Sequence, residues 1–317
     1  MSEPRPAPWS GTAPKVACIV LSYNGKALLL QTLASLFKLD YPNYRVIVVD
    51  NGSSDGTWEE LEASWPQVTR LKVEENRGIS VGLNLGIRHA LAAGDDYLLL
   101  LNNDIEVDPG LVRELVAVAE SDPTIGAVGP KAYYFADRNR LWSAGGQLHF
   151  RQSITDERGN LELDHGQYDR TEEVDYVNGC AMLVPRRVQL DVGLWDGSFH
   201  VSVEDADWCM RAKKKGWRCF YAHRAVLWHM VSPTTGGYKS GRTFQTGRST
   251  MLFVRKHANP AQWLSFLFFF LLAIPAAWLR ERRSGNQAAA IAKLRGAWAG
   301  FKSPLWPAAA LDARTEP

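Results

Sequence analysis

The sequence predicts an α/β protein with a Rossmann-like, mostly parallel sheet flanked by helices. The first observation is a set of short apolar runs, Lys15-Val-Ala-Cys-Ile-Val-Leu21, Tyr44-Arg-Val-Ile-Val-Val49 and Tyr97-Leu-Leu-Leu-Leu101. They lack the alternation of a half-exposed strand and read as strands buried on both faces. The second is that helical spacing returns between them, which implies right-handed crossovers to parallel neighbours. The third is that the runs end in short polar residues, where an open α/β sheet places its ligands.

Each element follows in order. The strand over 15–21 closes at Ser22-Tyr23-Asn24-Gly25, and Leu28, Leu29, Leu33, Leu36 and Phe37 then fall at helical spacing. A turn at Tyr41-Pro42-Asn43 leads into the strand over 44–49, which ends at Asp50-Asn51-Gly52-Ser53-Ser54-Asp55-Gly56. Asp55 or Thr57 caps a helix over 58–65. A short strand over 68–73 passes through Glu75-Asn76-Arg77-Gly78 into a helix reaching 93. The leucines at 98–101 open abruptly into Asn102-Asn103-Asp104, with a turn at Asp108-Pro109-Gly110 beyond. A helix over 111–120 and a short strand over 127–129 follow. Residues 131–175 are polar and dotted with glycine, reading as loops and a β-hairpin over one face. Apolar pattern returns at 176–184, a helix suits 185–190, and 193–196 turn the chain. The helix over 204–215 carries acids in its first turn and lysines in its last, matching its macrodipole.

Composition narrows the function classes. In 317 residues, 46% hydrophobic content supports a substantial core. The formal charge of +2 is uneven: residues 255–317 hold nine Lys/Arg against three acids, a net +6, and the preceding part holds 27 against 31, a net −4. A mildly acidic body does not suit nucleic acid. Cys18, Cys180, Cys209 and Cys219 form neither a CxxC pair nor a zinc spacing. They point to reduced thiols in a cytosolic setting, with Cys18 a small core residue. Residues 1–14 hold four prolines and no apolar h-region, so they read as a disordered lead-in rather than a signal peptide.

The C-terminal part differs in kind. Residues 263–279 are uncharged and rich in Phe and Leu, flanked by Arg255-Lys256 and Arg280-Glu-Arg-Arg283. As a helix this stretch reaches about 25 Å, short of a hydrocarbon core of about 30 Å, and Pro275 interrupts it. Lys293, Arg295 and Lys302 then alternate with Trp298, Phe301 and Trp306. The pattern favours membrane-surface attachment over a crossing or a core or oligomer contact.

Four constellations can carry chemistry. Asp50 stands at a strand end where an acid hydrogen-bonds a ribose or a base edge, although Asp55 and Thr57 are explained as a turn and cap. Arg77-Gly78 at a helix start suits a phosphate, whereas Gly82 and Gly86 behind it suit close helix–sheet packing. No GxGxxG is present in the first strand-to-helix turn, which weighs against a dehydrogenase. Asp104 at a strand end can hold a hard cation if a second ligand arrives from elsewhere, and His229 in Trp228-His229 can supply it, a lone histidine being more often simply packed. Glu204-Asp205-Ala206-Asp207 at a helix start satisfies the macrodipole, and a carboxylate presented there can also serve as a general base.

The combination resembles the family 2 glycosyltransferases, inverting enzymes of the GT-A fold. The resemblance runs from about Val16 to Val231 and rests on eight pieces in order: Ile19-Val-Leu-Ser-Tyr-Asn24, Val48-Val-Asp-Asn-Gly-Ser-Ser-Asp-Gly-Thr57, Asn76-Arg-Gly78, Leu100-Leu-Asn-Asn-Asp-Ile-Glu-Val107, Asn178-Gly-Cys-Ala-Met-Leu-Val184, Val192-Gly-Leu-Trp-Asp196, Glu204-Asp-Ala-Asp-Trp208 and Trp228-His-Met-Val-Ser232. The later pieces look like the rhamnosyltransferase-like branch.

The resemblance implies a role for each matching residue. Tyr23, Asp50 and Arg77 hold the nucleoside and its phosphates, with Leu21, Asn24, Asn51, Gly78, Asn102 and Asn103 lining the same nucleotide-sugar pocket. Asp104 coordinates Mg²⁺ or Mn²⁺ with His229 beside it, and Asn102 replaces the first aspartate of a strict DxD. Asp205 is the general base, with Glu204 of the same pair as the second candidate, and Gly179, Glu204 and Trp208 sit around the sugar and acceptor. The implied reaction moves a sugar, rhamnose in that branch, from a nucleoside diphosphate donor to a glycan or lipid-linked acceptor at the cytoplasmic face of the cell membrane. The expected organisation is a lead-in over 1–14, a GT-A domain over 15–255 and a membrane-associating region over 256–317. A sugar nucleotidyltransferase shares the architecture but would show a Gly-rich turn with a basic residue after the first strand. A catalytically silent assembly factor would have no use for both Asp104 and Asp205.

Overall fold

A computed structural model describes residues 12–151, 153–231, 240–283, 287–306 and 311. The fully apolar runs form the centre of the sheet, as their lack of alternation requires. β1 (Val16–Ser22) pairs in parallel with β2 (Tyr44–Asp50) on one side and β4 (Tyr97–Asn102) on the other. β3 (Thr69–Lys72) extends the parallel half beyond β2. α1 (Lys26–Leu36), α2 (Thr57–Ser64) and α3 (Ile79–Ala92) make the crossovers. Leu98, Leu99 and Leu100 have no exposed surface, and burial of each such side chain contributes about 1.5–3 kcal/mol.

Beyond β4 the sheet changes direction. β5 (Ile105–Val107), α4 (Leu111–Ser121) and β6 (Ile125–Tyr134) lead to β7 (Asp137–Ser143), which folds back on β6 as a hairpin. β8 (Gly146–Leu148) and β9 (Thr155–Glu157) form a second, separate hairpin, so the polar 131–175 stretch holds two hairpins where one was expected. After β10 (Glu172–Val174), β11 (Ala181–Pro185) enters antiparallel to β4. α5 (Arg186–Val192), α6 (Glu204–Lys214) and β12 (Arg218–His229) complete this part. The sheet order is β10-β12-β6-β11-β4-β1-β2-β3, with β5 on β12 and β7 on β6. It is therefore mixed rather than mostly parallel: β1–β4 and the β6–β12 pair are parallel, but β11 between them runs the other way.

Two glycines let α3 lie directly on the sheet, as their spacing predicted. A Cβ on Gly82 would meet Leu21 Cδ1 at 2.5 Å, and one on Gly86 would meet Ile19 Cγ2 at 2.5 Å. All four cysteines are buried free thiols. The first eleven residues of the expected lead-in lie outside the described residues. Its last residues are packed: Ala13 is buried, its carbonyl accepts from Asn43 Nδ2 at 2.7 Å, and the Pro14 carbonyl accepts from Tyr41 OH at 2.8 Å.

Three helices follow β12: α7 (Ser240–His257), α8 (Pro260–Arg283) and α9 (Gln287–Lys302). α9 lies along α7 at backbone contact, since a Cβ on Gly296 would overlap the Phe244 carbonyl and one on Gly247 that of Lys293. α8 keeps Phe266 buried but exposes Leu264, Phe268, Leu271 and Leu272. Among the described residues no helix is long and apolar enough to cross a membrane.

Candidate active site

The polar ends of the parallel strands meet at one edge. Register sets Ser22 opposite Asp50 and Leu21 opposite Asn102. The loops after them are stitched together: Asn24 N–H donates to Ser53 Oγ at 2.9 Å, Ser54 N–H to Asn24 Oδ1 at 2.8 Å, and Asn103 Nδ2 to Ser22 Oγ at 3.0 Å. Asp55 ties both helices to this edge, accepting from Lys26 N–H at 2.9 Å and Thr57 N–H at 3.2 Å.

Asp50 is the most informative group here. It is fully buried, and its Oδ1 accepts from Ser53 N–H at 2.9 Å, yet its Oδ2 has no hydrogen-bond partner. Asn51 Oδ1 is likewise buried and unpartnered, while its Nδ2 holds Asn76 Oδ1 and the Gly78 carbonyl, each at 3.2 Å. Leaving such acceptors unmade costs about 1–3 kcal/mol each, a cost that a donor-rich ligand removes. Tyr23 and Arg77 stand exposed beside this edge. Gly78 holds φ +93°, and a Cβ there would meet His200 Nδ1 at 2.6 Å. Ile79 N–H also donates to the His200 carbonyl at 2.9 Å, so the loop of Arg77 is docked on the segment that precedes α6.

Asp104 and His229 come together although 125 positions separate them. Pairing of β5 with β12 sets Ile105 opposite His229, and Met230 N–H donates to the Asp104 carbonyl at 2.8 Å. His229 Nε2 then lies 3.2 Å from Asp104 Oδ1, and both side chains are largely buried. Trp142 meets the imidazole edge-on with centroids 4.4 Å apart, and Nδ1 is buried without a partner. A carboxylate oxygen beside an imidazole nitrogen is a donor set that suits a divalent cation. Among the described residues no group of three or more His, Cys, Asp or Glu is arranged for a metal. If the pair held a cation it would supply two protein ligands.

Asp205 is delivered from the antiparallel half. Val203 takes left-handed φ of +59° at the start of α6, which turns Glu204 and Asp205 inward. Asp205 Oδ2 accepts from Gly179 N–H at 2.8 Å and Oδ1 from Ala206 N–H at 2.7 Å. Burial holds the Asp205 carboxyl above the usual carboxylate range, against the lowering effect of those two N–H groups, with Glu157 adding to the rise. Glu204 is raised too, by burial first and by Asp205 next, and its Oε2 is buried without a partner. The pair cannot ionise independently.

The joint between the halves is the β4–β11 pairing. Asn102 N–H donates to the Cys180 carbonyl at 3.1 Å, so the Asn102-Asn103-Asp104 end abuts Gly179 and Asp205. The Cys180 thiol is pushed up by burial first, and then by the negative charges of Glu157, Asp104 and Asp205.

Glu157 is a member that the sequence did not reveal. Its Oε1 accepts from Tyr176 OH at 2.5 Å and Asn178 Nδ2 at 2.8 Å, and its Oε2 from Ser143 Oγ at 2.5 Å. Burial raises its carboxyl above the usual range. Trp208 is a correction in the other direction. It is fully buried, its Nε1 donating to the Gly193 carbonyl at 3.0 Å, and so it packs the core under α6 instead of lining the acceptor side. Asp207 likewise serves structure, held by Arg211 Nε at 3.0 Å, Lys256 Nζ at 2.8 Å and His257 Nε2 at 2.7 Å.

A Rossmann-like half whose strand ends carry unsatisfied acceptors, joined to an antiparallel half that brings a buried carboxylate to the same edge, defines a GT-A-type transferase fold. The model of glycosyl transferase family 2 matches residues 17–183, and the chain belongs to that family and is a glycosyltransferase. It is 26% identical to N-acetylglucosaminyl-diphospho-decaprenol L-rhamnosyltransferase of Mycobacterium tuberculosis, over 77% of this chain and 87% of that one. It is 25% identical to poly-beta-1,6-N-acetyl-D-glucosamine synthase of Staphylococcus aureus, over 70% of this chain and 51% of the synthase, so it spans about half the length of that relative. In fold it is similar to a mannosyltransferase of Pyrobaculum calidifontis, solved with GDP-Man and Mn²⁺, with TM-score 0.56, 21% identity, and coverage of 96% of this chain and 81% of that one. It is also similar to GalNAc-T7, solved with UDP, GalNAc and Mn²⁺, with TM-score 0.61, 14% identity, and coverage of 77% and 49%.

Proposed function

We propose that this glycosyltransferase moves a sugar, with inversion, from a nucleoside diphosphate donor to a hydroxyl of a lipid-linked glycan, at the cytoplasmic face of the membrane during cell-surface polysaccharide synthesis. The observation that carries the reading is the hydrogen bond from Asn102 N–H to the Cys180 carbonyl, because it joins the strand end that leads to Asp104 to the residue after Gly179, whose N–H donates to Asp205. The unpartnered Asp50 Oδ2 and Asn51 Oδ1 support nucleoside binding at this edge. The rhamnosyltransferase relative names both a diphospho-lipid acceptor and a rhamnosyl donor group, which supports a lipid-linked acceptor and puts rhamnose first among sugars.

In this reading Asp50 and Asn51 orient the nucleoside, and exposed Arg77 adds positive charge beside the diphosphate. A Mg²⁺ or Mn²⁺ ion held by Asp104 and His229 would neutralise charge gathering on the leaving group. Asp205 takes the proton of the acceptor hydroxyl as that oxygen bonds to the anomeric carbon from the face opposite the diphosphate. The carbon–diphosphate bond breaks as the new one forms, so the anomeric configuration inverts. Glu204, pressed toward neutrality by burial and by Asp205, can donate a hydrogen bond to the sugar or acceptor. The Ser22-Tyr23-Asn24-Gly25 turn contains no basic residue, which speaks against nucleotidyl transfer.

The exposed apolar flank of α8, with Trp298 and Phe301 exposed on α9 and Lys302 Nζ 4.5 Å above the Trp298 ring, supports interfacial attachment of the region from 256 onward. The test is a screen of radiolabelled nucleotide sugars with the full chain, Mn²⁺ and a membrane extract. The expected result is metal-dependent nucleoside diphosphate release with label in the solvent-extractable lipid fraction. Label confined to water-soluble glycan would overturn the lipid-linked acceptor.

A further inference from the structure

A cavity of about 810 Å³ lies between the start of α6, α7, α8 and α9, within the range of about 300–1,000 Å³ typical of organic-ligand sites. Its lining is divided. Hydroxyls of Thr155, Ser202, Thr246 and Thr250 line one part, and Phe270, Ile274, Trp278, Ile291 and Leu294 the other. Lys293 is the cation in the lining, and no carboxylate is among the described residues that form it. A void lined by such side chains sacrifices packing energy, a cost that proteins retain chiefly at functional sites.

The polar part adjoins the active site along the chain. Ser202 and Val203 immediately precede Glu204 and Asp205, and Thr155 lies two residues before Glu157, which itself raises the Asp205 carboxyl. The apolar part adjoins the surface. On α8 the lining residues Phe270, Ile274 and Trp278 recur every four positions, and the neighbouring flank of the same helix exposes Leu264, Phe268, Leu271 and Leu272. The cavity is thus bounded on one side by residues next in sequence to Glu204 and Asp205, and on the other by a helix whose outer flank is apolar and exposed.

We propose that this cavity holds the lipid chain of the acceptor, with the headgroup end toward Asp205 and the chain running between α8 and α9. The inference rests on the lipid-linked acceptor reading above and adds the place where the lipid sits. The head-first orientation follows from the lining: Thr155, Ser202, Thr246 and Thr250 lie on the elements next to Glu157 and α6 and on α7, and the large apolar side chains come from α8 and α9. A free bilayer lipid would need no polar lining next in sequence to Glu204 and Asp205, so the acceptor's own chain is the occupant.

Calorimetry on the full chain in chelator-containing buffer tests this, with farnesyl diphosphate and isopentenyl diphosphate as probes of equal headgroup and unequal chain. The wild-type protein should bind the longer probe at least about tenfold more tightly, since each buried methylene adds about 0.8 kcal/mol. Ala290→Trp and Ala273→Trp fill the cavity from the α9 and α8 walls and should each bring that ratio near one and lower transfer of label to lipid, with the Kd for the nucleotide sugar unchanged. Two variants guard against a folding defect in either. A wild-type ratio near one, or a ratio that both tryptophans leave intact, overturns the inference. So does a ratio abolished instead by Phe268→Glu with Leu271→Glu, which would place the chain on the outer flank. If label still enters extractable lipid at the wild-type rate in both filled variants, the cavity assignment fails while the lipid-linked acceptor stands. If label enters only water-soluble glycan, the acceptor reading itself fails.

Discussion

Gly179 donates its backbone N–H to Oδ2 of Asp205 across 2.8 Å, linking the start of β11 to the start of α6. One strand pair away, Asn102 N–H holds the Cys180 carbonyl. The proposed base and the end of β4 that leads to Asp104 are therefore both held by the same two-residue stretch of backbone. Asp205 can keep its place only while β4 and β11 stay paired, which makes sheet register a condition of catalysis.

Burial and Glu157 raise the Asp205 carboxyl, and the reaction needs it deprotonated. Activity should therefore fall on the acid side at a pH above the ordinary carboxylate value, as Asp205 gains its proton. Glu157→Gln removes a nearby negative charge and should move that acid limb of kcat/KM to lower pH. A pH–rate profile of both proteins checks the direction. An unmoved limb would mean that Glu157 acts only through its hydrogen bonds to Tyr176 and Asn178.

Asp50 should trade affinity against stability. Asp50→Asn keeps an acceptor for Ser53 N–H but replaces a buried, half-unpartnered carboxylate. Nucleoside diphosphate binding should weaken by about ten- to a hundredfold, as expected for losing a charged hydrogen bond of about 1.5–3 kcal/mol. The melting temperature of the unliganded protein should not fall. Titration calorimetry and thermal denaturation together read both effects.

If Asp104 and His229 hold the cation, His229→Ala should raise the Mn²⁺ concentration for half-maximal activity by about ten- to a hundredfold, and Asp104→Asn should do so at least as strongly. A Mn²⁺ titration of initial rates measures this directly. Identical metal curves for wild type and both variants would remove the pair from the metal site.

Asp207 should govern stability rather than rate. It is fully buried among Arg211, Lys256 and His257, and its carboxyl is held well below the usual range, foremost by its hydrogen bond to His257 working against burial. Asp207→Asn takes the carboxylate from Arg211, while Lys256 keeps Asp196 at 2.6 Å, and should cost about 3–5 kcal/mol. The sign of the pH dependence follows from a depressed folded value. The contribution is fully present above the ordinary value of 3.8 and is lost as pH falls toward the folded one. The gap in melting temperature between the two proteins should therefore close in acid.

Much of this fold was legible because its signals are local. Leu98 to Leu101 lack alternation because both faces are covered, and Gly82 and Gly86 recur because α3 touches Leu21 and Ile19. The mixed sheet was not legible, since the apolar pattern of Ala181–Pro185 is the same whether β11 runs parallel or antiparallel to β4. Asp50, Asp104 and Asp205 each stood beside a punctuated strand or helix end and could be singled out. Glu157 stood in a polar stretch without periodicity, and only the packing of its hairpin beside Asn178 brings it to the site. Trp208 shared a motif with Asp205 but sits three positions on, where α6 turns it away from the site and into the core.

If one edge of the sheet binds the donor while Asp205 supplies the base, the Asp205→Asn variant separates the two roles. Donor affinity and turnover should be measured on the same preparation, with Mn²⁺ present. The expected result is an unchanged Kd for the nucleotide sugar with kcat lowered by about 10²–10⁴, the range for loss of a general base. Full turnover in that variant would contradict the account, whatever its donor affinity.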